Sequence, residues 1–185
     1  MLIIFLDVDG VLNTWDDEVE IEPACMAQLK RILQETDAEI VLSSSWRGTD
    51  GPEVSISGLQ EHRLAKYFAK HEVPLWVDRI PRHYIPFSVE RPFNIMTWLS
   101  QHSMVSNFIA LDDEDNIELY PHNFKTQPKK GITPEVADKA ISFLNRPYKL
   151  TQLTLQKQNE GWHNTGVPPF ILINGEKYRV AEKFD

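Results

Sequence analysis

Only one cysteine, Cys25, occurs among the 185 residues. No disulfide can therefore form within the chain, and no zinc site can be assembled from thiolates. Such usage suits a reducing compartment, and cytoplasmic residence is the expectation. The sequence also lacks any apolar stretch approaching the roughly 20 residues of a membrane helix, and its first apolar run turns acidic too soon for a secretory leader. Positive charge is in short supply: 19 Lys and Arg against 27 Asp and Glu leave a net charge of −8. A surface-wide basic field for gripping nucleic acid or anionic lipid is excluded by that balance. A local basic cleft is still allowed, with Arg79, Arg82, His83 and Arg91 as its candidates. The histidines share no metal-ligand spacing; only His83 and His122 are kept as functional candidates.

What is present is enough apolar material, 42% of residues, for one sizeable core and a single domain with decoration. Four short apolar runs, Leu2 to Leu6, Glu39 to Leu42, Pro74 to Val77 and Phe108 to Leu111, are each bounded by polar or turn residues, as buried parallel strands are. Helical spacing fills the gaps: Cys25, Leu29, Ile32 and Leu33 after Pro23; Leu64, Tyr67 and Phe68; Ile95, Trp98 and Leu99 after Pro92. A last helix follows Thr133, a capping residue, with Val136, Ala140, Phe143 and Leu144 as its apolar face. Thr49 to Gly58 reads as a loop. The alternation predicts an α/β fold, a Rossmann-like three-layer sandwich around a mainly parallel sheet, with ligands at the carboxyl ends of the strands. Residues 1–148 are expected to form this domain. Residues 149–185 form an extension with a polar, glutamine-rich start and two short strands joined by Asn174-Gly175, a pair that favours a tight hairpin, expected to pack on the main domain.

Three of the strands end in chemistry. Asp7 and Asp9 flank one valine at the end of the first, so that both side chains project to one side, and Gly10 permits an immediate turn. Ser43, Ser44 and Ser45 end the second, and Asp112, Asp113, Glu114 and Asp115 end the fourth. In a parallel sheet these ends share an edge. Clustered carboxylates repel unless one takes a proton or a cation holds them, and an all-oxygen set suits magnesium (Mg2+).

With these residues in view, the chain resembles the haloacid dehalogenase-like (HAD) phosphohydrolases: the Asp-x-Asp-Gly-Val-Leu-Asn opening, a strand-end serine and a late Asp-Asp fall in order across most of Met1 to Asn145. The Ser-Ser-Trp-Arg after the second strand is similar to that of small members, some associated with RNA repair systems. The resemblance implies that Asp7 is a nucleophile forming an aspartyl-phosphate. It implies that Asp9 is general acid and base, a residue shared by the family's phosphatases and phosphomutases. Metal would be held by Asp7, the Asp9 backbone carbonyl and Asp112 or Asp113. Ser43, helped by Ser44, would bind phosphate, the register among the three serines being open. Arg91 would fill the basic position usually held by lysine, with Lys129 or Lys130 as alternatives. The resemblance therefore implies a cytoplasmic, magnesium-dependent hydrolase, a phosphatase acting on phosphomonoesters.

Two rivals stand beside this reading. Cys25 and Arg31 have the spacing of a cysteine-dependent phosphatase loop, but the residues between them lack glycine and read as mid-helix. The other rival is a non-catalytic protein that binds metal and a phosphorylated partner. Only about 25 residues separate Asn13 from the second strand, too few for the large cap of many HAD relatives, so an open site is expected, rimmed by Trp76 to Val89 and the tail. By family analogy, capless members often act on large phosphorylated substrates such as protein or nucleic-acid ends or rely on a partner as cover, so phosphoprotein and small phosphomonoesters both stay open as substrates. Arg47, Arg79 and Arg82 are candidates to touch a polynucleotide phosphate, and a nucleic-acid terminal phosphate is a subordinate expectation that the net charge does not favour.

Overall fold

The computed structural model describes residues 1–14, 21–47, 56–81 and 87–146, together with the backbone of 155–156, 171–173 and 176–180. Five parallel strands form the central sheet: β1 (Leu2–Leu6), β2 (Glu39–Leu42), β3 (Asp78–Arg79), β4 (Asn107–Asp112) and β5 (Asn123–Lys125), in the spatial order β3-β2-β1-β4-β5. Four helices accompany them: α1 (Pro23–Thr36), α2 (Ile56–Lys70), α3 (Phe87–Ser100) and α4 (Pro134–Leu144). Later in the chain, β6 (Leu155–Gln156), β7 (Ile171–Ile173) and β8 (Glu176–Val180) make a separate antiparallel sheet in the order β6-β8-β7. Asn174 and Gly175 lie outside the described residues.

The two faces of the central sheet separate by the two-residue period of its strands. Ile4, Leu6, Ile40, Leu42, Ile109 and Leu111 join one core with the buried faces of α1, α2 and α4. Ile3, Phe5, Val41, Phe108 and Ala110 join a second with Ile95, Met96, Trp98 and Leu99 of α3. β1 is buried on both faces, which is why it reads as an unbroken apolar run rather than an alternating one. α1 begins at Pro23, whose missing donor goes unused there. α4 is capped by Thr133, whose hydroxyl accepts from Val136 N at 3.4 Å.

Several expectations are corrected. The third strand is not Pro74 to Val77. Proline brings no donor, Leu75 and Val77 are 55% and 57% exposed, and ladder pairing begins only at Asp78, opposite Val41. The third helix starts at Phe87, leaving Pro92 inside it at the loss of one backbone bond. Ile56 to Gly58 belong to α2 rather than to a loop, and the buried face of α4 is centred on Ala137, Ala140, Ile141 and Leu144. β5 and β6 were not foreseen. Asn-Phe-Lys and Leu-Gln are too short to carry a periodic signal.

Candidate active site

The strand register builds the site. Phe5 stands opposite both Val41 and Ala110, and Leu6 opposite both Leu42 and Leu111. Asp7, Ser43 and Asp112 come next, one residue beyond Leu6, Leu42 and Leu111, and the ladder runs on into this row: Ser43 N donates to Leu6 O at 2.9 Å and Asp7 N to Leu111 O at 3.0 Å. All three keep the parity of Phe5, Val41 and Ala110, the face that α3 covers. Sheet geometry thus gathers residues from three distant parts of the sequence.

One oxygen from each of Asp7, Asp112 and Asp113 lies within 4.8 Å of the others. Asp7 and Asp112 are buried and Asp113 half-buried. A single nitrogen of Arg91, Nη1, donates to Asp7 Oδ2 and to Asp112 Oδ2. Burial opposes the charge on Arg91, but the two carboxylates outweigh it and hold the guanidinium firmly protonated. Burial together with the Asp7 charge raises Asp112 to about 6 in spite of Arg91, and the same two influences raise Asp113. Three carboxylates against one guanidinium leave two negative charges over. That surplus, on hard oxygen donors, fits a divalent ion of the magnesium type.

The turn after β1 is closely specified. Gly10 has φ +67°, and a Cβ there would lie 2.6 Å from Asp113 Oδ2, so no side chain fits. The carbonyls of Val8, Gly10, Val11 and Leu12 are occupied: Val8 by the amides of residues 11 to 13, Val11 by Ile132 N, Leu12 by Glu22 N, and Gly10 by the Thr126 hydroxyl at 2.7 Å. Those of Asp7 and Asp9 accept no hydrogen bond among the described residues. The Asp9 carbonyl is therefore available as a further metal oxygen, while its carboxylate is engaged elsewhere. Trp46 Nε1 donates to both of its oxygens, at 3.0 and 2.9 Å, and Asn13 Nδ2 to Oδ1 at 2.9 Å.

Across the row, Ser43 is buried and its Oγ has no partner among the described residues. A buried hydroxyl left in this state is poised for an incoming acceptor or donor. Ser44 Oγ instead accepts from Trp46 N at 3.2 Å.

The arginines divide. Arg91 is at the carboxylates. Arg47 is buried and turned inward, donating to Ser43 O at 3.2 Å, Ser44 O at 2.7 Å and Pro81 O at 3.4 Å. Arg79 pairs with Glu61 at 2.6 Å, Glu61 also accepting from Trp76 Nε1. Arg82 and His83 lie outside the described residues. Lys130 belongs to the Gln127 to Gly131 turn, while Arg91 is the basic side chain that reaches the carboxylates. Cys25 faces the α1 core, its Sγ directed at Lys130 O at 3.6 Å and its thiol raised by burial, which removes the cysteine-phosphatase reading. His122 is a packing residue stacked on Phe108, lowered to about 4 by burial. Sequence reasoning assigned Trp46 no donor role. The one available signal was an indole N–H three residues past a strand-end serine.

A parallel sheet of this order, with acidic tips meeting beside a serine-bearing strand end, defines an α/β protein of the haloacid dehalogenase-like phosphohydrolase class. The chain belongs to the family described as the HAD domain in Swiss Army Knife RNA repair proteins, matched over residues 3–137. No curated protein and no solved structure matches it. Among the described residues, no helix is long and apolar enough to cross a membrane.

Proposed function

We propose that the protein is a magnesium-dependent phosphomonoester hydrolase that works through an aspartyl-phosphate on Asp7, with Asp9 as general acid and base. The observation that carries this reading is the convergence of Asp7, Asp112 and Asp113 within 4.8 Å beside the unpartnered hydroxyl of Ser43.

A carboxylate is already ionised at neutral pH, so Asp7 needs no base to attack phosphorus. Its handicap is repulsion from the substrate's own charge. Magnesium, held by Asp7, the Asp9 carbonyl and Asp112 or Asp113, supplies charge neutralisation and alignment when bound. Ser43 donates to a phosphoryl oxygen without adding charge. Arg91, donating to both Asp7 and Asp112, adds positive potential where charge builds up. As the Asp7 oxygen bonds to phosphorus, the bond to the leaving oxygen breaks, its electron pair goes to that oxygen, and Asp9 gives it a proton. Water then attacks phosphorus and Asp9 takes back a proton. The acyl-phosphate bond breaks with its electron pair returning to the Asp7 carboxylate.

Arg47 is proposed to brace the serine loop rather than to meet substrate, since it is buried and donates to the carbonyls of Ser43, Ser44 and Pro81. A macromolecular terminal phosphate is the proposed substrate class. The family is that of HAD domains in RNA repair proteins, which favours a phosphate-ended polynucleotide over a phosphopeptide.

Phosphate release from nucleotides, phosphopeptides and oligonucleotides bearing 3′- or 5′-phosphates, with magnesium and with chelator, tests the proposal. Magnesium-dependent turnover that disappears in Asp7→Asn supports it, with the phosphate-ended oligonucleotides expected to be preferred. Turnover indifferent to Asp7→Asn overturns the mechanism. Magnesium binding without turnover on any substrate favours the non-catalytic binder.

A further inference from the structure

We propose that Trp46 and Asn13 are positioning residues: the indole holds the plane of the Asp9 carboxylate toward the leaving group, and the amide, by occupying Oδ1, leaves Oδ2 as the oxygen that carries the proton. This inference rests on the reading of Asp9 as acid and base.

Each carboxylate oxygen offers two lone pairs. Oδ1 of Asp9 receives Asn13 Nδ2 at 2.9 Å and Trp46 Nε1 at 3.0 Å, whereas Oδ2 receives only the shared indole N–H at 2.9 Å. The indole, shared almost equally, fixes the plane of the carboxylate, and Asn13 makes the difference between its oxygens: Oδ1 has two donors and Oδ2 one among the described residues.

Neither donor can easily turn away. Asn13 is buried, and its own Oδ1 accepts from Gly10 N at 2.8 Å, which fixes the amide so that its NH2 group meets Asp9. Trp46 is 2% exposed, and its backbone N donates to Ser44 Oγ. The next residue, Arg47, ties the carbonyls of Ser43 and Ser44. The loop that presents Ser43 to phosphate therefore also sets the carboxylate that serves the leaving group. A shift of one displaces the other.

In the first half-reaction the proton on Oδ2 passes to the ester oxygen as that oxygen takes the electron pair of the breaking P–O bond, and Asp9 is left as carboxylate. An alkyl ester needs that proton far more than a phenol ester with a stable anion does. kcat/KM reports steps only as far as departure of the leaving group, so the comparison is not blurred by hydrolysis of the phosphoenzyme.

The test measures kcat/KM on an alkyl phosphate and on p-nitrophenyl phosphate for the whole protein. It uses Trp46→Phe, benzothienylalanine at position 46, which keeps the indole shape without its N–H, and Asp9→Asn. The expected result is that both position-46 variants lose about tenfold more on the alkyl ester than on the aryl ester, with a larger disparity in Asp9→Asn. Equal losses on the two esters in the position-46 variants, with the disparity kept in Asp9→Asn, overturn the Trp46 proposal alone. Absence of the disparity in Asp9→Asn overturns the acid role of Asp9 and this proposal with it. The benzothienyl variant keeps the test decisive should Trp46→Phe fold poorly.

Discussion

Among the described residues, Arg47, buried, and Arg91, half-buried, sit at the strand-end edge that carries Asp7, one on each side of β1, and their surroundings differ. Arg91 faces two carboxylates from different strands and is held by charge. Among the described residues Arg47 donates to three backbone carbonyls, two of them within its own loop. The first arrangement is an unbalanced cluster, short of positive charge by two, which a divalent ion can complete. The second is nearly self-sufficient. It serves to stiffen the strand exit from which Ser43 and Trp46 act. The described acceptors of an arginine at this edge, carboxylates in one case and carbonyls in the other, indicate its part more than residue type does.

The contrast breaks most visibly at Asp7. If the Arg91 side is the reacting side, Asp7→Asn lowers phosphate release by on the order of 10^4-fold; a loss under tenfold would sink that assignment. Arg91→Ala should cost on the order of 10^2-fold in kcat, again read as phosphate release, and a rate matching the native protein would show that the cluster does not need its guanidinium. Magnesium at about 100 times its Kd should stabilise the protein by roughly 2.7 kcal/mol, seen in urea unfolding. Asp112→Asn should abolish most of that gain, whereas Arg47→Lys should keep it.

A pH series sharpens the same divide. Asp112 titrates near 6 in the native protein against an ordinary 3.8. Between those values the fold binds a proton that the unfolded chain has released, so metal-free stability should fall as pH rises through that window and level off above it. Saturating magnesium should flatten the slope, because the ion takes the ionised form. A metal-free stability that climbs across the window would contradict the burial assigned to Asp112. The smallest effect belongs to the brace: Arg47→Lys should cost about 1 kcal/mol in unfolding free energy through loss of its forked bonds, by the same amount at every pH in that series.

How far the sequence reaches follows from the kind of signal involved. Asp7, Ser43 and Asp112 were legible because each ends an apolar strand, and strand-end parity is a local property that register then converts into proximity. The HAD family was legible from the same three exits, and the family match supports it. The position of Arg91 was legible from motif order, but its two carboxylate partners were not, since a helix's rotation about its axis is settled by packing. Arg47 and Trp46 sit side by side in one short loop, and nothing in Ser-Trp-Arg states that one turns inward to carbonyls while the other reaches across to Asp9. β3 was misplaced because Pro74 to Val77 is apolar without being buried. β5 was missed because three residues inherit their pairing from β4 and carry no period of their own.

The two cores of the fold are unequal: among the described helices, α1, α2 and α4 anchor one side of the sheet, and α3 covers the side toward which Asp7, Ser43 and Asp112 are aimed. Selection can therefore retune the reactive face by amending one helix, while the thicker half keeps the scaffold standing. In such a molecule, evolvability is concentrated where the wall is thinnest.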